Sequence, residues 1–282
     1  METNYALLNR VFSRTTVNSF LHNSADDTFF AAIERYVEHP VGKSNSAIIG
    51  EIYQKLHTNY RNEYFYKNTL LTKLLLGVHS STTTTALSEV PVHRSKADFI
   101  LINGKAVVYE IKTELDNLDR LENQLMDYYK AFCNVCVVTS ESSFVSVDKK
   151  LRDTNVGIYV LTNRKTISLR KPATYDASYL DQDVIFKVMR KKEYENILFN
   201  YYNHLPNVSQ FVYYNECRKM FNNIEVSIAY NLFVKELKKR NRVDAKRLST
   251  VPTELKSIVY FSEFRTSDYE SLSTFLSNQF GG

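Results

Sequence analysis

Apolar positions recur along this chain in two rhythms, and the changes of rhythm divide it. From Asp27 to Glu38, Phe29, Phe30, Ile33 and Val37 return at helical spacing until His39-Pro40 ends the run. A second helix, capped by Ser44 or Ser46, turns Ile48, Ile49, Ile52 and Leu56 inward. Asn62 to Leu76 is a stronger helix, with Leu70, Leu71, Leu74 and Leu75 on its core side and Gly77 as its stop. Residues 1–25 carry no such period and read as an irregular arm or a short helix.

Beyond the polar link Ser80 to Thr85 the period falls to two. Ala86 to Val92 reads as a strand, and Asp98 to Lys112 as a hairpin around Asn103-Gly104. Asp116, with Asp119 three residues on, is expected to cap a helix running to Phe132. Cys133 to Thr139 is a buried strand reached by a short crossover, and therefore parallel to its neighbour. A charged helical piece at Asp148 to Asp153 leads to a strand at Val156 to Leu161. Asn163-Arg164 then turns the chain into Thr166 to Arg170.

Past Lys171-Pro172 the strand signals stop. Helices are expected at Val184–Tyr202, Gln210–Phe221, Ser227–Lys239, Pro252–Phe261 and Tyr269–Phe280. The fold class is α/β, a mixed sheet flanked by helices and followed by an all-helical part. Its expected divisions are a helical arm at 1–60, a core at 61–175 and a helical domain at 176–282.

Composition sharpens this only in places. With 7 Gly and 5 Pro in 282 residues, a loop-rich all-β architecture is disfavoured. The net charge of +5 suits an anionic partner. Lys235 to Arg247 holds seven basic residues against Glu236 and Asp244, so that segment carries a charge of +5 by itself. It reads either as a solvated helix end or as a nucleic-acid backbone contact. Three cysteines make no disulfide framework, and no apolar run of about 18 residues could span a bilayer, so a cytoplasmic location is expected. Cys133 and Cys136 lie three apart on a strand, on opposite faces, and read as core. Gly42-Lys43-Ser44 resembles the end of a phosphate loop, but Val37 stands where the loop's first glycine belongs and no strand precedes it.

The chemistry concentrates at one end of the hairpin. Asp98 opens its first strand; Glu110 and Lys112 close the second, two apart and on one face. Two carboxylates and an ammonium there are costly unless something binds them. Facing residues would sum to 207 across a loop of Asn103-Gly104 alone, which puts Asp98 and Glu110 on opposite faces. A loop of Ile102-Asn103-Gly104 with Gly104 left-handed makes the sum 206, and Asp98, Glu110 and Lys112 then share a face. That bulge, or another restoring the parity, is expected. Such a trio suits Mg²⁺ or Mn²⁺, held by Asp98, Glu110 and the Ile111 carbonyl, with Lys112 orienting a water. A surface hairpin end carrying a Glu–Lys pair is the plainer alternative.

Ala97-Asp98, a hairpin, then Glu110-Ile111-Lys112 resembles the signature of the PD-(D/E)XK nuclease superfamily, the restriction-endonuclease-like fold. Gln124-Leu-Met-Asp-Tyr128 looks like the Gln-x-x-x-Tyr motif of its RecB-like branch. The likeness covers roughly residues 60–140, with Ala97 in place of the name-giving proline. The remainder looks like a small bacterial, phage-associated family, which implies a role in phage defence or mobile elements.

The resemblance implies a metal-dependent nuclease acting on DNA in preference to RNA. Asp98 and Glu110 would be metal ligands and Lys112 the catalytic lysine. Arg120, Gln124 and Tyr128 lie on one edge of the following helix, where they would face the site and touch substrate. Glu63 would be the first-helix acid, with Glu51 in reserve, and Glu114 a solvated loop residue. Lys238, Lys239 and Arg240 would grip the substrate backbone, while Tyr201-Tyr202 and Tyr213-Tyr214 either stack on bases or pack helices. A catalytically inactive nucleic-acid-binding module and a protein-interaction module, docking a partner or a second copy through its helical half, are the rival functions.

Overall fold

The computed structural model describes residues 5–22, 26–77, 83–240 and 243–281. The chain opens on helices: α1 Ala6–Val11, α2 Arg14–Phe20, α3 Asp27–Tyr36, α4 Asn45–Asn59 and α5 Glu63–Leu70, the last continuing into a π turn at Leu71–Leu75. The supposed arm therefore holds two short helices. Ser13 caps α2 through its hydroxyl, and Val11, Val17 and Phe20 are buried. Asp26, Ser44 and Asn62 cap α3, α4 and α5, each accepting a backbone N–H of the first turn.

The sheet follows, with β1 Thr85–Val92, β2 Ser95–Asn103, β3 Lys105–Lys112, α6 Leu121–Tyr129, β4 Val135–Ser140, α7 Phe144–Leu151, β5 Gly157–Leu161 and β6 Ile167–Lys171. The six strands lie side by side in chain order. β1–β2–β3 and β5–β6 pair antiparallel, while β3–β4 and β4–β5 pair parallel across the α6 and α7 crossovers. The buried strand after α6 is parallel to its neighbour, as its crossover requires. α6 starts later than its acidic residues suggest. Asp116 instead takes the N–H and hydroxyl of Thr113 at 2.8 and 2.7 Å, closing a loop, and Arg120 is left at the N-cap.

Four helices follow, α8 Gln182–Val188, α9 Lys191–Tyr202, α10 Gln210–Asn222 and α11 Val226–Lys238, of which α8 packs on β1 and α11 on β2 while α9 and α10 pack on these helices. The single helix expected over 184–202 is two, because Met189 and Arg190 are extended and Glu193 accepts the Arg190 N–H at 2.7 Å to start α9 afresh. One apolar core joins Ile100, Val108 and Val137 of the sheet, Leu125 of α6 and Phe221 and Phe233 of α10 and α11. α12 Ala245–Thr250, a 3-10 turn at Thr253–Leu255, α13 Lys256–Phe261 and α14 Thr266–Ser277 complete the chain. No described helix is long and apolar enough to cross a membrane.

The fold is thus α/β with helices after the sheet, but the compact units cut across the divisions read from the sequence. One unit joins 1–81 to 242–282; the other is 82–241. In the first, Phe20 stacks on Phe275 with ring centroids 4.3 Å apart. Asn68 donates to the Thr253 carbonyl and accepts from the Ser257 N–H, so the C-terminal helices close onto the N-terminal ones. In the second, helices up to α11 cover the sheet. Complementary apolar faces, rather than nearness in sequence, decide which helices belong together.

Candidate active site

The β2–β3 hairpin fixes the site. Gly104 has φ +74° at its apex, a left-handed conformation that suits glycine. Phe99 pairs with Tyr109 and Asn103 with Lys105, so facing residues sum to 208 rather than 206. Parity is even, as the site requires, but the apex lies one residue further along. Carried one residue past its last pair, this register sets Asp98 opposite Glu110. There the Asp98 carboxylate enters the ladder itself, accepting the Ile111 N–H at 2.8 Å. β2 peels from β3 at that point, so a side chain replaces a backbone acceptor.

Glu110 and Lys112 share the face beneath α6. Glu110 is 1% exposed and Lys112 8%. A carboxylate and an ammonium so buried are tolerable only with partners, and both have them. Lys112 Nζ lies 2.8 Å from Glu110 Oε1 and donates to Gln124 Oε1 at 2.9 Å. The fully buried Tyr128 hydroxyl donates to Glu110 Oε2 at 2.6 Å, with the Lys96 carbonyl at 2.9 Å as its other neighbour. Burial first, then the Glu110 carboxylate and the more distant Asp98, raise the Tyr128 pKa, which keeps the hydroxyl a donor. Two of the three residues of the predicted edge row on α6 are therefore engaged. Gln124 and Tyr128 bind the hairpin residues, and Arg120 stands exposed at the N-cap.

Two residues escaped the sequence reading. Glu89 has φ +56° within β1, and a carboxylate oxygen of Glu89 comes within 4.8 Å of one of Asp98. Its register partner is Asp98, because Ser88 pairs with Phe99 and Val90 with Ala97. The two-residue turn that sets this register is His93-Arg94, which carries no turn signature. The second is Thr139, the ladder neighbour of Lys112 on β4. Its hydroxyl is fully buried and has no hydrogen-bond partner. The sequence places Thr139 at a strand end, but only the β3–β4 register puts it beside Lys112.

Glu63 lies in the first turn of α5 and pairs with Lys67 at 2.5 Å, while Glu51 pairs with Lys43 at 2.7 Å. Glu114 is exposed in the loop after β3. Arg240 is not a free phosphate contact: it grips Glu193 through Nε and Nη2, both at 2.6 Å, and also binds the Val188 carbonyl. Burial of the pair redirects a cation that the charge run alone assigned to substrate. Lys238 and Lys239 are exposed. Cys133 and Cys136 are buried and free. Of the tyrosine pairs, Tyr202 and Tyr213 bond the Met220 carbonyl and Glu195, which makes them helix packing, while Tyr201 and Tyr214 are partly exposed.

Comparison with known proteins adds a family. A search of curated proteins and one of solved structures found no match. The family model described as Bacteriophage P4 protein cII matches residues 56–258, from the end of α4 into α13 and across the whole sheet. Since that match takes in well over half of the 282 residues, the chain belongs to the bacteriophage P4 cII family.

Proposed function

We propose that this chain is a metal-dependent nuclease of the PD-(D/E)XK type, hydrolysing phosphodiester bonds of DNA in preference to RNA. The observation that carries the reading is the contact of Glu110 with Lys112 and Tyr128, directly across from Asp98. The site lies at the C-terminal ends of the parallel strands β3 and β4, where α/β sheets bind ligands.

The donor set fits a hard divalent cation. Asp98, Glu110 and the Ile111 carbonyl are oxygen donors of the kind Mg²⁺ and Mn²⁺ take. Glu110 keeps lone pairs beyond those used by Lys112 and Tyr128, since a carboxylate has about four acceptor sites. The unsatisfied Thr139 hydroxyl, beside Lys112, offers a further polar contact. A bound cation would supply a Lewis acid for the phosphoryl oxygen and acidify a coordinated water.

The protein's own groups do the rest. Gln124 and Glu110 aim the Lys112 ammonium, which orients the attacking water and offsets negative charge gathering on the phosphate. Tyr128 holds Glu110 in one orientation, and the Ile111 N–H does the same for Asp98. A role in phage defence or mobile-element biology is compatible with the phage family.

Purified protein, Asp98→Asn and Lys112→Ala should be incubated with Mg²⁺ or Mn²⁺ and single-stranded DNA, double-stranded DNA or RNA, alongside calorimetric titration of Mn²⁺. Wild type should bind Mn²⁺ and cleave; Asp98→Asn should bind weakly, and neither variant should cleave. Cleavage unchanged in both variants would mean a contaminant. Absence of Mn²⁺ binding would leave an inactive binding or interaction module.

A further inference from the structure

The structure carries a second candidate site, away from the carboxylates, in a groove of about 490 Å³ between α9 and α11. Its floor is apolar, formed by Ile197 of α9 and Leu232 of α11, and Asn200 offers a carboxamide at the α9 wall. Lys235, Lys238 and Lys239 line the α11 side, all three exposed. Glu236, the one acid among the described lining residues, is 5% exposed and already bound by Lys239 and Asn196. Its charge is offset within the protein, which leaves the groove cationic.

We propose that this groove binds one nucleotide unit of a single-stranded nucleic acid. The volume falls within the ~300–1,000 Å³ of small-ligand sites. An apolar floor accepts the face of an unstacked base, the Asn200 amide can donate to and accept from a base edge, and the ammonium groups meet phosphates. A folded acidic protein would need a broad interface, whereas this groove of about 490 Å³ is on the scale of a small ligand. The placement also suits a strand that reaches the carboxylates. The Lys238 carbonyl accepts the Thr85 hydroxyl, so the end of α11 is pinned to the start of β1. Thr85 lies four residues from Glu89, about 13 Å at ~3.3 Å per residue.

The inference takes its occupant from the nuclease reading, but its test does not need catalysis. A fluorescein-labelled single-stranded 20-mer would be titrated with the full chain in EDTA, reading anisotropy across a salt series. Lys235→Glu with Lys238→Glu should weaken binding at least tenfold, and Lys235→Gln with Lys238→Gln should flatten the log–log salt slope by about 1.4, ~0.7 for each lost phosphate contact. Lys105→Glu with Lys149→Glu, the same charge change at exposed positions elsewhere, should weaken it less than threefold. Circular dichroism checks that each variant is folded. Equal weakening by both charge-reversed pairs, no binding by wild type, or full competition by a nucleoside monophosphate at equal nucleotide concentration would overturn the groove. If wild type binds the 20-mer through Lys235 and Lys238 but fails to cleave it with Mn²⁺, the nuclease reading falls while the groove stands.

Discussion

The Lys112 ammonium sits 2.8 Å from the Glu110 carboxylate two residues back on the same strand, beneath α6 and almost out of solvent. A charge pair so placed is a weak source of net stability, because desolvation offsets most of the attraction. Removing one partner is another matter, since it leaves the other charge buried. Lys112→Ala should therefore lose both the proposed nuclease activity and ~3–5 kcal/mol of stability in urea denaturation. The double variant Glu110→Gln, Lys112→Met should regain most of that stability and none of the activity. Stability and cleavage recovering together would show that the pair is structural.

Tyr128 acts on the same carboxylate from the helix side. Its hydroxyl is kept protonated by burial and by Glu110, so it orients rather than titrates. Tyr128→Phe removes a hydrogen bond to a charged group, worth ~1.5–3 kcal/mol. It should weaken Mn²⁺ binding about 10–100-fold by calorimetry while Asp98 remains in place. Unchanged affinity would remove Tyr128 from the site.

Arg240 and Glu193 form a bidentate pair, each side chain 10% exposed. The pair joins the end of α11 to the first turn of α9. Arg240→Ala should cost ~3–5 kcal/mol of stability. In the folded variant, oligonucleotide affinity should change less than twofold, because the guanidinium already faces protein. Anisotropy at a temperature where the variant remains folded separates the two effects.

Asp183 supplies a pH dependence. The Arg218 guanidinium, 2.6 Å away at Nε, and then the Asn222 amide lower its carboxyl to about 2. A depressed folded-state pKa means a stabilising contribution that is complete above the unfolded value of ~3.9 and is lost as pH falls through the folded value. Asp183→Asn should therefore melt below wild type at pH 6 and approach it at pH 2. Parallel melting curves at both pH values would refute the linkage.

How far the sequence could be read differs between elements for identifiable reasons. The start of α4 was legible to within two residues, at Ser44 or Ser46, because a cap bonds within one turn, and Ser44 is the cap. Parity across the hairpin was legible because Asp98, Glu110 and Lys112 could share a face only across an even facing sum, and a left-handed Gly104 allows one. The placement of the apex was not, because Asn103-Gly104 accommodates more than one loop. The break at Met189-Arg190 was invisible for a similar reason: neither residue is a helix breaker, and Glu193 reads equally well as interior or first-turn acid.

Local rules thus settled the hairpin, the Glu110–Lys112 face and the α6 edge with Gln124 and Tyr128, because each depends on residues within a few turns or one strand pair. Contacts between distant segments settled the rest. The C-terminal helices joined the N-terminal ones, Arg240 turned to Glu193, Glu89 came opposite Asp98 and Thr139 came beside Lys112. Charge and periodicity state what a residue can bind; packing and register state what it meets.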